Sequence, residues 1–217
     1  FSGRATVMTW EQENFPAILN VWFGGCESGD AICDVLFGDK VPSGKLTATM
    51  PKSVGQIPLY YNYLNTGRPL KEGKWFTKFT SNYLDIDNDP LYPFGYGLSY
   101  TTFKYGKPTL SSNTMNNNET ISVSVDITNT GNYDADEIAQ MYIRDLAASV
   151  SRPVKELKGF ERISIKKGET KTVTFTITPE DLKFYNQELE YKNEPGEFEV
   201  MVGPNSKDVQ TLTFTLK

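Results

Sequence analysis

From about Lys104 to the C-terminus the sequence is written with a period of two, and this constrains the fold more than any other feature. Ile121, Val123, Val125 and Ile127 alternate with Ser122, Ser124, Asp126 and Thr128. Successive side chains of a strand point to opposite faces, so such a run buries one face and wets the other. The pattern returns at Ala139, Met141 and Ile143, at Val173, Phe175 and Ile177, at Phe198, Val200 and Val202, and at Leu212, Phe214 and Leu216. Turn signals separate the runs: Asn129-Thr-Gly131, Lys167-Gly168, Glu194-Pro-Gly196 and Gly203-Pro-Asn205. Six or seven short alternating strands joined in this way predict an antiparallel β-sandwich. Pro179-Glu-Asp-Leu can start one helical turn. The region has no cysteine, which excludes an antibody-type bridge between the sheets.

The first region reads differently. Ala5 to Trp10 is a predicted strand, and Ala17-Ile-Leu-Asn-Val-Trp-Phe23 is a short apolar run of the kind found in buried strands. Gly24-Gly25 ends it. Ser28 or Asp30 can cap a helix whose apolar face is Ala31, Ile32, Val35 and Leu36, and Gly38 is a suitable stop. Strand, glycine turn and helix in that order indicate an α/β sheet. One or two strands and a helix cannot form a core, so the region reads as the last part of such a sheet. Pro42-Ser43-Gly44 makes a turn, and Lys45 to Met50 is a further predicted strand.

Between the two patterns, Pro51, Pro58, Pro69 and Pro90, with Gly55, Gly67 and Gly73, break up any periodicity. Tyr60, Tyr61, Tyr63, Trp75, Phe76, Phe79 and Tyr83 supply rings that should pack on a neighbouring domain or line a site. An irregular run this long is uncommon and often functional. It ends in Tyr92-Pro-Phe-Gly-Tyr-Gly-Leu-Ser-Tyr-Thr-Thr-Phe103, which is rich in aromatics, holds Gly95 and Gly97, and carries no charge. Neither a helix nor an ordinary strand tolerates this spacing of Pro and Gly. Free linkers are polar, so the segment reads as a connector pinned by its rings.

Composition removes several functions. The net charge of −5 argues against nucleic acid as a partner, since phosphate binding needs a basic face. Histidine is absent, so this chain alone builds no Ser-His-Asp centre and no histidine-containing zinc site. No apolar run approaches the ~18 residues of a membrane span. Cys26 and Cys33 read as two partly buried free thiols, with a mutual disulfide as the lesser alternative. Phe1 is followed by no charged and apolar leader pattern, and the chain reads as the tail of a longer protein.

Candidate chemistry is sparse. Asp85, Asp87 and Asp89 alternate as calcium ligands do, but Pro90 and Tyr96 stand where an EF-hand needs Gly and Glu, so a solvated acidic turn is preferred. Glu27 follows a glycine turn at the carboxyl end of a predicted strand, where α/β sheets gather ligands; alternatively it accepts N–H groups at the helix start. Asn65-Thr-Gly-Arg68 is a polar turn among aromatic rings, suited either to sugar hydroxyls or to pinning the loop. Asn118-Glu-Thr120 fits the N-glycosylation pattern, a short and weak match. No paired carboxylates, phosphate loop or nucleophile motif stands out.

Taken together, several of these segments resemble glycoside hydrolase family 3, specifically the C-terminal part of bacterial β-glucosidases. They are Ala17–Gly25, Gly29–Gly38, Pro42–Leu46, Pro51–Pro58, Tyr60-Tyr-Asn62, Asn65–Pro69 and Tyr92–Phe103. Val125–Gly131, Ser151–Phe160 and Pro195–Phe198 resemble that family's fibronectin type III-like domain. The resemblance implies an α/β fragment plus an all-β domain. The end of an α/β sandwich domain would occupy 1–60, an aromatic-rich linker 61–103, and a fibronectin type III-like antiparallel β-sandwich 104–217. It implies a retaining hydrolase of terminal β-glycosyl residues with a covalent intermediate. The nucleophilic Asp and the acid/base Glu would lie upstream, so no catalytic residue is carried onto this chain, and the chain alone is expected to be inactive. Asn65, Arg68 and Glu27 remain as substrate-proximal candidates. Neither cofactor nor metal is implied. The expected partners are the upstream catalytic domains of the same protein and a glycoside substrate, with homodimerisation left open; the resemblance implies a periplasmic or secreted location. A non-catalytic carbohydrate-binding or dimerisation module is the alternative.

Overall fold

The computed structural model describes residues 1–70, 74 and 76–217. Gly73 and Trp75, named above among the breaks and rings, lie outside the described residues.

The strands are β1 (Phe103–Tyr105), β2 (Thr109–Leu110), β3 (Thr114–Met115), β4 (Ile121–Asn129), β5 (Ala135–Asp145), β6 (Glu156–Ile165), β7 (Thr170–Ile177), β8 (Phe184–Tyr185), β9 (Tyr191–Lys192), β10 (Gly196–Gly203) and β11 (Gln210–Leu216). One sheet runs β1-β4-β2 with β7 also on β4, and the other runs β3-β11-β10-β5-β6. All pairs are antiparallel except β3 with β11. The predicted faces meet between the sheets: Val123, Ile127, Val173 and Ile177 come from one side, and Met141, Phe198, Val200 and Phe214 from the other. Phe198 and Phe214 stack with centroids 5.5 Å apart. Burying each such side chain is worth about 1.5–3 kcal/mol, which holds the layers together. The predicted helical turn is a 3-10 turn at Pro179–Leu182, boxed by Thr178 and Asp181.

The period fails informatively at β5 and β6. Ala139 to Ile143 are all buried, so both faces of β5 are covered there. Ala139, Met141 and Ile143 face the core, while on the other side Gln140 meets the aromatic connector and Tyr142 meets Tyr61. β6 is an edge strand with charges and Gly159 in its run, and its register on β5 shifts between Met141 and Tyr142. The shift breaks the alternation that would have announced β6.

The first region departs from expectation in three places. Ala5 to Trp10 is not a strand; helix α1 covers Thr9–Asn14, whose Glu11, Gln12 and Glu13 favour a helix. Ala17 to Phe23 is unpaired, and Trp22 sits at φ 48°. A strand exists through its ladder bonds, and no neighbouring strand supplies them among the described residues. Helix α2 covers Ser28–Phe37 as its period predicts, and Gly38 ends it at φ 85°. Its N-cap is Glu27, not Ser28 or Asp30, and no side chain makes a cap bond there. Lys45 to Met50 forms no regular strand but is zipped to the connector: Leu46 N–H donates to the Tyr96 carbonyl at 2.7 Å and Met50 N–H to that of Tyr92 at 2.9 Å.

Candidate functional site

The connector is clamped from both sides. Gly95 sits at φ 78°, and a Cβ there would lie 2.0 Å from the Gln140 side chain. Gln140 Nε2 donates to the carbonyls of Gly95 (3.1 Å) and Pro204 (2.7 Å), and its Oε1 accepts from Tyr142 Oη at 2.5 Å. Gly97 faces the other way: a Cβ there would lie 2.2 Å from the Gly44 carbonyl. Only glycines fit both approaches, which accounts for their spacing. Tyr61 stacks on Phe94 at 4.2 Å and meets Tyr142 edge-on at 5.8 Å.

A buried ion pair fixes the same joint. Lys45 Nζ lies 3.2 Å from both oxygens of Glu137 and donates to the Gly97 carbonyl, also at 3.2 Å. Tyr105 Oη donates to Glu137 Oε1 at 2.9 Å. Burial first, and then the Glu137 carboxylate, push the Tyr105 hydroxyl far above its ordinary pKa, so it stays a donor. The pair spans three segments that are distant in sequence, and its sign pattern is invisible in composition.

The Asn65–Arg68 turn lies on the sandwich. Gly67, at φ 77°, donates its N–H to Asn65 Oδ1 at 3.2 Å. The Tyr63 carbonyl accepts from Val154 N–H at 2.9 Å, docking the turn on the β5–β6 connection. Between them lies a cavity of about 350 Å³, lined by Asn65 and Gly67 on one side and by Arg144, Asp145, Ser149 and Arg152 on the other. Arg152 Nη2 pairs with Glu156 Oε2 at 2.6 Å, and its guanidinium stacks 4.5 Å from the Phe184 ring centre. Arg152 Nε and Asp145 Oδ2 are buried without a hydrogen-bond partner. Burial raises the Asp145 carboxyl above the ordinary carboxylate range against the opposing pull of Ala147 N–H and Arg152. Of the three sequence candidates, the structure brings only Asn65 to this cavity. Arg68 and Glu27 are exposed, line neither described cavity, and make no side-chain hydrogen bond or ion pair among the described residues. The sequence pointed to neither Asp145 nor Arg152; the polar Ser151-Arg-Pro run beside a strand end was the available signal.

Two of the three alternating aspartates, Asp87 and Asp89, are spent on ion pairs. Both oxygens of Asp87 meet Lys52 Nζ, at 2.7 and 2.8 Å, and Asp89 Oδ2 pairs with Lys207 at 2.8 Å. Cys26 and Cys33 are free but exposed rather than partly buried; Cys26 precedes α2, and Cys33 lies off the helix's apolar face of Ala31, Ile32, Val35 and Leu36. That side, with Leu19 and Val21, forms a second, apolar cavity of about 210 Å³. Trp10, Phe23, Leu36 and Phe37 are 62, 85, 62 and 82% exposed in the same region.

Residues 1–100 match the family model described as the glycosyl hydrolase family 3 C-terminal domain, and 137–206 match the fibronectin type III-like domain. The chain belongs to glycosyl hydrolase family 3. This family 3 chain is 53% identical over 215 residues to a periplasmic beta-glucosidase of Salmonella typhimurium, covering 99% of the chain and 28% of the relative. It is 46% identical over 218 residues to a beta-xylosidase of Formosa agariphila, covering 100% of itself and 29% of the relative. Among solved structures, it superposes on beta-glucosidase from Listeria innocua in complex with glucose with a TM-score of 0.91 and 44% identity, over 96% of this chain and 29% of that one. The family 3 chain thus spans under a third of the length of these relatives. No helix among its described residues is long and apolar enough to cross a membrane.

Proposed function

We propose that this chain is the C-terminal part of a periplasmic or secreted retaining β-glycosidase that removes terminal non-reducing β-glucosyl or related residues. Its own role is to buttress the catalytic domains. Residues 1–60 complete the α/β domain, 61–103 strap it to the sandwich, and 104–217 form that sandwich. The observation that carries the reading is the exposure of four large apolar side chains of the first region, Trp10, Phe23, Leu36 and Phe37. Large apolar side chains exposed in such number mark an interface, and upstream domains of the same protein are the occupant that the length of the relatives supplies. Arg68 and Glu27, with side chains left over by the fold, face outward as candidates to border the substrate cleft of the longer enzyme.

Leu36→Asp with Phe37→Asp tests the interface. Both side chains are largely exposed, so the melting temperature of this chain stays unchanged while hydrolysis of an aryl β-glucoside by the longer enzyme falls. Normal turnover by that variant, or hydrolysis by this chain alone, defeats the reading. Arg68→Ala in the longer enzyme lowers kcat/KM; an unchanged value removes Arg68 from the cleft.

A further inference from the structure

The cavity beneath the Asn65–Gly67 turn has features that buttressing does not require. Its volume of about 350 Å³ falls at the lower end of small-molecule sites, which span ~300–1,000 Å³. Its floor is preformed. Ala147 N–H donates to Asp145 Oδ1 at 3.1 Å, and Leu146 N–H to the Glu197 carbonyl, also at 3.1 Å. Ser149 is held through its N–H and hydroxyl by Glu194, at 2.9 and 2.7 Å. A floor held at so many points has little ordering entropy left to lose on binding.

The charges select the ligand. An anion would meet Asp145 with Glu194 behind Ser149, and a cation would meet the guanidiniums of Arg144 and Arg152. A neutral ligand that both donates and accepts hydrogen bonds meets no such penalty. Asn65 has spent its carbonyl on Gly67 and keeps its amide as a donor. Asp145 Oδ2 and Arg152 Nε are sealed inside the wall, so the polar groups the cavity presents are the Asn65 amide and the exposed Ser149. Beside the rim, the β8–β9 hairpin is tied to Ser149 by Gln187 and Glu194. It presents Tyr185 and Tyr191, 64 and 47% exposed with centroids 5.0 Å apart. Exposed tyrosines offer an apolar face and a polar edge together.

We propose that this cavity binds a sugar unit of a glycan, with hydroxyls partnering the Asn65 amide and Ser149, and with Tyr185 and Tyr191 supporting the next unit outside. The proposal goes beyond the buttressing role and is read on a different observable, binding to this chain rather than hydrolysis by the longer enzyme.

The test is ¹⁵N–¹H NMR on the 217-residue chain, titrated with glucose, xylose and laminaribiose at concentrations on the order of tens of millimolar. The amides of Ala147, Ala148 and Ser149 shift and saturate, and those of Ile32 and Val35 do not. Ala147→Trp, placed at an exposed position that folding tolerates, weakens binding by at least ~10-fold by filling the cavity. Asn65→Ala weakens it by roughly fivefold, as loss of one hydrogen bond does. Laminaribiose binds more tightly than glucose, and Tyr191→Ala erases that difference. The proposal is overturned by absent shifts at these amides, by full affinity in Ala147→Trp, or by inorganic phosphate shifting the same amides more strongly than the sugars.

Discussion

Lys45→Met is the sharpest probe of how the first region is held to the sandwich. Glu137 is 3% exposed, and Lys45 is the one cation within 4.0 Å of it among the described residues. At 3.2 Å and an effective dielectric constant near 20, the pair attraction is about 5 kcal/mol. Removing Lys45 leaves the carboxylate with only the Tyr105 hydroxyl, and breaking buried pairs in this way costs about 3–5 kcal/mol. The double variant Lys45→Met/Glu137→Gln removes the stranded charge and keeps an acceptor for Tyr105, so most of that loss returns. The two changes therefore fall short of additivity by at least ~2 kcal/mol. Urea unfolding followed by two probes measures this. The tryptophans, Trp10, Trp22 and Trp75, all precede the sandwich, whereas far-UV circular dichroism reads mainly its strands. In Lys45→Met the tryptophan transition moves to lower urea, ahead of the strand transition, because the joint and not the sandwich core is weakened. Lys207→Met, which breaks the exposed pair with Asp89, serves as the control and changes neither. A loss under ~1 kcal/mol in Lys45→Met, or additive single variants, would refute the claim that the joint is dry and charge-locked.

Two further outcomes follow from the same geometry. Gly95→Ala forces Gln140 off its bonds to Gly95, Pro204 and Tyr142 and imposes a side chain at φ 78°, lowering stability by roughly 2–4 kcal/mol in thermal melts. Gly55→Ala, with its nearest neighbour at 3.8 Å, leaves the melt nearly unchanged. Asp145→Asn reads the buried carboxyl: the folded pKa is raised, so the stability tied to its proton is present below the unfolded value of about 3.9 and lost as pH rises through the folded value. The variant therefore melts higher than the parent at neutral pH and loses that advantage in acid. An advantage independent of pH would show that the charge is not what Asp145 costs the fold.

The sandwich was legible because its information is local. In Ile121–Ile127 each apolar residue points where its neighbour two places on also points, and no distant partner alters that. β6 was not legible, because an edge strand with a register shift satisfies only part of the rule. Residues 17–23 misled for the opposite reason. Their composition suits buried strands, yet strand pairing is a property of two segments, and the second is missing among the described residues. The candidate site divides in the same way. Asn65 could be picked out as a polar turn among rings, a local pattern. Asp145 and Arg152 gain meaning only where the turn closes over them, and nothing near either residue in sequence encodes that closure.

The Tyr92–Phe103 connector joins these two kinds of information. Its glycines face opposite partners, Gly95 toward Gln140 of the sandwich and Gly97 toward the Gly44 carbonyl of the first region. The connector is therefore a layer compressed between two bodies, and each body fixes one side of it. Phe94 carries Tyr61, Tyr61 Oη accepts from Leu157 N–H on β6, and Asn65 and Gly67 a few residues on line the cavity. Lys45 and Glu137 brace the same layer through the Gly97 carbonyl. A shift of the first region on its partner must therefore move Gly97, and with it the seat of the cavity roof. It follows that Gly95→Ala, made far from the cavity lining, weakens sugar binding along with stability, whereas an equally destabilising change in the sandwich core, such as Val173→Ala, lowers stability and leaves the affinity of the folded chain intact.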